Sequence, residues 1–327
     1  MEAPVSQPAP GSEGSGRPDW GSPCDWFWQD QRCHWRELGE PHHPALVLIH
    51  GFGAGSGHWR HNAEGLAAAG WRVFALDLIG FGSSSQPGPH PTLPLDNRLW
   101  ARQLQGFLEQ VVQGPAVLVG HSLGGLVALS CAVFFPGWVR AVVAAPLPDP
   151  ALLSGDGSRV RRRRPWRRRL KRFVVGLLCR LLPLELLVPL IAHSPLLDLG
   201  IQSAYSMPVM GDEALRRVIA RPARRPTAVR SLRAMSIAMA LRPHAATAPA
   251  LLERLRRPLL LVWGAQDRLV PLRVAQRVQE HRRDVPLEVI EGCGHCPHDE
   301  RAVDFNRRVL AWLNRIEATR QPAEPLI

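Results

Sequence analysis

The chain has 327 residues, 46% of them hydrophobic, enough to bury a full core in one large domain or two smaller ones, which excludes a chain disordered throughout. Six cysteines in a chain this long read as reduced thiols in a cytosolic compartment rather than as a disulfide framework. The formal net charge of +12 is uneven: residues 151–250 hold 19 Lys and Arg against 5 Asp and Glu, a net of +14, so the remainder carries −2.

Residues 1–19 are rich in Pro, Gly and Ser and predict a disordered tail. They lack the basic start and the run of about 7–15 apolar residues that a secretory signal needs, so a cytoplasmic location is expected. Trp26, Phe27 and Trp28, followed by residues 33–38, alternate as an antiparallel hairpin whose tryptophans pack into a core. Residues 45–49 form an unbroken apolar run, as a buried parallel strand should, and lead into a loop of His50, Gly51, Phe52, Gly53, Ala54 and Gly55. Residues 71–78 predict a second buried strand, again ending in a glycine-bearing loop, 77–84. A third apolar run, 116–119, feeds Gly120-His121-Ser122-Leu123-Gly124, and a helical stretch, 126–135, leaves it.

Strand, serine between spaced glycines, then helix is the pattern of a nucleophile elbow. The turn is so tight that a Cβ two residues before or after the serine would collide with a neighbouring element. An exposed hydroxyl at a sheet edge can attack an acyl carbon if backbone N–H groups stand ready for the oxyanion. Phe52 and Leu123 are the predicted donors. An acid and then a histidine should follow, each just past a further strand. Residues 259–263 lead to Asp267, and 287–290 lead to His295, the expected general base. Asp149 is an alternate acid and His298 an alternate base. His50 reads as a structural hydrogen-bond partner of the oxyanion loop, and Asp77 as a group that orders the loop before Gly80. Cys293 and Cys296 bracket His295 and invite a metal reading with His298, but no second ligand pair stands at zinc-like spacing. The residues imply no cofactor and no metal.

With these motifs in order, the chain resembles the α/β-hydrolase superfamily (AB hydrolase-1 type) over residues 41–147 and 256–316. His58, Trp59, Arg60, His61 and Asn62, the 77–84 loop and Trp100 further resemble the plastid and cyanobacterial branch of pheophytinases and chlorophyll dephytylases, many of which carry Asn where this chain has His121. The resemblance implies an α/β fold, a mostly parallel sheet with helices on both faces. Its core would comprise residues 20–147 and 256–318, with an inserted helical cap over 148–255. The activity it implies is serine hydrolysis of an apolar carboxylic ester, chlorophyll- or lipid-type, through an acyl-enzyme. A serine at the elbow sets the chain apart from epoxide hydrolases and haloalkane dehalogenases, which need a carboxylate nucleophile there. A haloperoxidase- or perhydrolase-like serine enzyme and a ligand-binding homologue without turnover are the alternatives.

The expected cap opens with Arg161, Arg162, Arg163, Arg164, Arg167, Arg168 and Arg169, then turns leucine-rich through Ile191. Arg180, Glu185, Pro183 and Pro189 interrupt the apolar run, so no transmembrane helix is expected; each central charge would cost roughly 2.5–3.5 kcal/mol. Three readings of the basic and apolar pair compete. It is a solvated arginine face, a peripheral anchor on an anionic membrane, or a nucleic-acid surface. The last is least favoured, because the leucine-rich stretch is wasted on a polyanion and no base-stacking aromatic array accompanies it.

Overall fold

The structure is a computed structural model that describes residues 7–8, 20–90, 94–153, 174 and 183–318. The seven arginines of the expected cap and Cys179 lie outside the described residues, as does most of the expected tail. Among the described residues nine strands form one sheet: β1 (Gln7–Pro8), β2 (Ser22–Trp28), β3 (Gln31–Leu38), β4 (Ala45–Ile49), β5 (Arg72–Leu76), β6 (Ala116–His121), β7 (Val139–Ala145), β8 (Leu259–Gly264) and β9 (Leu287–Ile290). Their order is β1-β2-β3-β5-β4-β6-β7-β8-β9. The pairs β1–β2, β2–β3 and β3–β5 are antiparallel, and every pairing from β5 through β9 is parallel. The β2–β3 hairpin turns through Gln29 and Asp30, both at positive φ (47° and 60°), the geometry that matches the right-handed twist of paired strands.

The described helices are α1 (Ala63–Ala68), α2 (Asn97–Phe107), α3 (Leu123–Phe134), α4 (Leu184–Ala192), α5 (Leu196–Ala204), α6 (Glu213–Ala223), α7 (Ala228–Leu241), α8 (Ala248–Leu252), α9 (Arg273–His281), α10 (Pro297–Glu300) and α11 (Ala302–Ala318). They cover both faces of the sheet, which is why the central strands are apolar at consecutive positions. Val47 and Ile49 enter one core with Leu118, α2, α3 and α9, whereas Leu46 and Leu48 enter the other with Val117, Val119, α1 and α11. Burying each such side chain contributes about 1.5–3 kcal/mol. Along α11, Phe305, Val309, Trp312 and Leu313 repeat at helical spacing and bury against the second core. Trp26, Trp28 and Trp35 of the hairpin pack into the first.

Between β7 and β8 the described elements are helical, α4 to α8 with short 3-10 turns. Leu197, Ile201, Tyr205, Leu215 and Ala220 form a separate apolar cluster with Cys296. Among the described residues no single helix is long and apolar enough to cross a membrane. The α4–α5 pair reaches that length only across an 81° bend.

Candidate active site

β6 is buried along its whole length and delivers Ser122 to the carboxyl edge of the sheet, where φ +51° and ψ −116° force the chain directly into α3. A non-glycine residue in this conformation is strained, and the close-packed neighbours hold it there. A Cβ on Gly120 would strike the Gly124 carbonyl, and one on Gly124 would strike the Ile49 carbonyl. Glycine at these two positions therefore lets strand, turn and helix approach one another.

The loop after β8 folds Asp267 back on itself: Oδ1 accepts the N–H groups of Leu269 (2.9 Å) and Val270 (2.8 Å). Its other oxygen is left for His295, whose Nδ1 lies 2.9 Å from Asp267 Oδ2. Across the ring, His295 Nε2 lies 3.1 Å from Ser122 Oγ. Since Oδ2 can only accept, Nδ1 carries the proton and Nε2 presents a lone pair to the serine hydroxyl. Asp267 and His295 are both buried, so this chain of hydrogen bonds runs with little competition from water. Phe52 and Leu123 flank the serine from the loop after β4 and from the first turn of α3; among the described residues their N–H groups donate to no protein acceptor.

The alternate candidates are engaged elsewhere. Asp149 binds Arg242 (2.8 Å) and accepts the Ala151 and Ala248 N–H groups, clamping the exit of β7 to α8. His50 accepts the Leu78 N–H at Nε2 (3.0 Å) and directs Nδ1 to the Gly51 carbonyl (2.7 Å), joining the oxyanion loop to the loop after β5. Asp77 accepts the N–H groups of Ser56 and Ser83, which ties those two loops together. Cys293 and Cys296 are free thiols, and burial pushes both well above the ordinary cysteine value, so neither offers a thiolate. His298 is fully buried and packs its ring on Trp59 (4.3 Å between centroids), not on the serine.

Sequence reasoning missed how the β7–β8 insertion grips this site. The N–H of His295 donates to the Ala204 carbonyl (2.8 Å), and the Ser206 N–H donates to Glu300 (2.7 Å). Tyr205 Oη donates to Asp299 Oδ2 (2.8 Å) and lies 2.9 Å from His58 Nε2. Arg60 spans Asp299 (3.1 Å) and Asp212 (2.9 Å), a buried carboxylate and one at the start of α6. These partners are far apart in sequence, and no local spacing marks them.

Comparison with known proteins places these elements in context. The alpha/beta hydrolase family profile matches residues 46–308. The 2-hydroxy-6-oxononadienedioate/2-hydroxy-6-oxononatrienedioate hydrolase of Burkholderia vietnamiensis is 29% identical over 303 residues, 87% of this chain and 91% of its own. Bifunctional epoxide hydrolase 2 of Mus musculus is 36% identical over 117 residues, 36% of this chain, so the match spans only 20% of that relative's length. Among solved structures, a putative lipase from Acinetobacter baumannii AYE aligns with a TM-score of 0.71 at 19% identity, covering 91% of this chain and 93% of its own. A bacterial membrane phospholipase A aligns at 0.67 and 23%, covering 90% and 86%. At these identities the structural likeness is one of fold.

Proposed function

The chain belongs to the alpha/beta hydrolase family, and from that premise we propose that it is a serine hydrolase that cleaves an apolar carboxylic ester through an acyl-enzyme on Ser122. The observation that carries this reading is the continuous hydrogen-bonded line from Ser122 Oγ through His295 to Asp267, at 3.1 and 2.9 Å. His295 Nε2 takes the serine proton as Oγ attacks the ester carbon, and Asp267 stabilises the imidazolium that forms. The carbonyl oxygen becomes an oxyanion that accepts from the Phe52 and Leu123 N–H groups. One such donor is typically worth about 10²–10³ in kcat. The imidazolium then protonates the departing alkoxide, and water, activated by the same ring, releases the acid and restores Ser122.

The substrate class is argued from the cap, since the fold leaves it open. Leu186, Leu187, Leu190, Ile191, Leu196 and Leu199 are exposed on α4 and α5. The arginine run precedes them in sequence, across the apolar stretch 173–182. Apolar side chains that enter the headgroup boundary beside cations that attract anionic lipid would bring the cap to a membrane holding an ester of the lipid or chlorophyll type. Fluorophosphonate labelling and turnover of short-chain nitrophenyl esters test the chemistry. Both are expected to fall by more than about 10⁴-fold in Ser122→Ala; turnover at the parent rate would remove Ser122 from the mechanism. Competition against labelling by lipid and chlorophyll-type esters then ranks the substrates.

A further inference from the structure

Three imidazoles outside the Ser122–His295–Asp267 line converge in the interior. His58 comes from the 3-10 turn Ser56–Trp59, His121 from the last position of β6, and His298 from α10. Their residues are 2%, 4% and 0% exposed. The ring centroids are 5.4 Å apart for His58 and His121, 4.5 Å for His58 and His298, and 4.4 Å for His121 and His298. One ring nitrogen from each lies within 4.8 Å of the other two, the only such set of His, Cys, Asp and Glu among the described residues.

The outer partners decide which nitrogens carry hydrogen. His121 Nε2 lies 3.1 Å from the His295 carbonyl, which can only accept, so Nε2 is the donor and Nδ1 holds a lone pair. Tyr205 Oη spends its proton on Asp299, so the 2.9 Å contact from His58 Nε2 is likewise a donation, and His58 Nδ1 holds the lone pair. Both of these Nδ1 atoms, and both ring nitrogens of His298, are buried with no hydrogen-bond partner among the described residues. Histidine used only to fill interior space would leave these polar atoms at a penalty that an apolar ring avoids.

We propose that His58, His121 and His298 form a three-histidine site for a divalent transition ion of the zinc type. Metal-bound histidines characteristically donate their other N–H to a carbonyl or to a carboxylate relay, as His121 does to the His295 carbonyl and His58 does to the Tyr205–Asp299 pair. Ligands 2.0–2.1 Å from a tetrahedral ion stand about 3.3 Å apart, so loading draws the rings together by at most about 1.5 Å. The ion would tie the turn beyond the oxyanion loop, the strand end before Ser122 and the helix after His295 into one unit. It would act as a brace and take no part in the attack on substrate.

The full chain, stripped with a chelator and dialysed, is titrated with Co²⁺ as a spectroscopic stand-in and then with Zn²⁺ in competition. One equivalent per chain is expected, with visible ligand-field bands of a nitrogen-ligated four- or five-coordinate ion and a higher thermal midpoint on loading. His121→Asn and His298→Asn are each expected to weaken binding by at least about a hundredfold. Tyr205→Phe, which removes only an outer partner, is expected to weaken it by about tenfold. Absence of stoichiometric binding in the parent chain overturns the site whether or not any variant folds. So does a sulfur-to-metal charge-transfer band, which would put the ion on Cys293 or Cys296, and so does unchanged affinity in variants that retain the parent circular dichroism.

Discussion

The His50 imidazole serves two partners that both require it neutral. Nε2 accepts the Leu78 N–H, and Nδ1 donates to the Gly51 carbonyl, one residue before the Phe52 N–H. Protonation would turn Nε2 into a donor facing a donor. Burial accordingly holds the ring below its ordinary value of 6.5, against the opposing pull of Asp77. The unfolded chain therefore takes up a proton, as pH falls through about 6.5, that the folded chain refuses, and stability is lost in the acid direction. The urea midpoint is expected to fall between about pH 7.5 and 5.5; a midpoint unchanged over that interval would remove His50 as a neutral brace. The same scale separates the acid candidates. Asp149 and Asp267 both follow strands and both accept backbone N–H groups, but Asp149 spends its charge on Arg242 whereas Asp267 keeps Oδ2 for His295.

Among the elements, the end of α5 and the residues just after it couple the β7–β8 insertion to the loop that carries His295. Ala204 holds the His295 N–H, Tyr205 joins His58 to Asp299, and Ser206 and Met207 donate to Glu300. A short cluster with Cys296 adds apolar burial beside them. Tyr205→Phe keeps the ring and removes the hydroxyl, so the buried His58 donor loses its partner and Asp299 Oδ2 is left with Arg60. The expected cost is about 1–3 kcal/mol, with faster amide hydrogen exchange in residues 204–207. Exchange at the parent rate would mean that packing alone holds this segment. By contrast, the strands were legible in the sequence almost to the residue. The run 45–49 is β4 and 287–290 is β9, while the predicted strand 71–78 shortens to Arg72–Leu76 because its last residues leave the sheet to build the Asp77 loop.

For the molecule as a whole, the positive charge is concentrated in residues 151–250, +14 against −2 elsewhere, and most of the exposed large apolar side chains among the described residues lie there too. If that region docks on anionic membrane, binding to phosphatidylglycerol-containing vesicles should weaken with added salt. Each arginine near the surface contributes about 1 kcal/mol. Neutralising Arg161, Arg162, Arg163, Arg164, Arg167, Arg168 and Arg169 is expected to abolish co-sedimentation, and Leu186→Asp with Leu190→Asp to weaken it. Co-sedimentation unchanged by the arginine substitutions would reduce the run to a solvated face.

The sequence by itself determined the strand positions, the glycine-flanked Ser122 and the order serine, acid, histidine. Burial on both faces and the steric limits of a tight turn act on neighbouring residues, and so they leave their imprint in consecutive positions. Which carboxylate meets which imidazole was settled only in three dimensions, since Asp149 and Asp267, or His295 and His298, satisfy the same local pattern and differ in what the rest of the chain brings to them. The convergence of His58, His121 and His298, and the grip of Tyr205 on the histidine loop, likewise join segments far apart in sequence. Long-range juxtaposition depends on how whole elements pack, and no spacing along the chain records it.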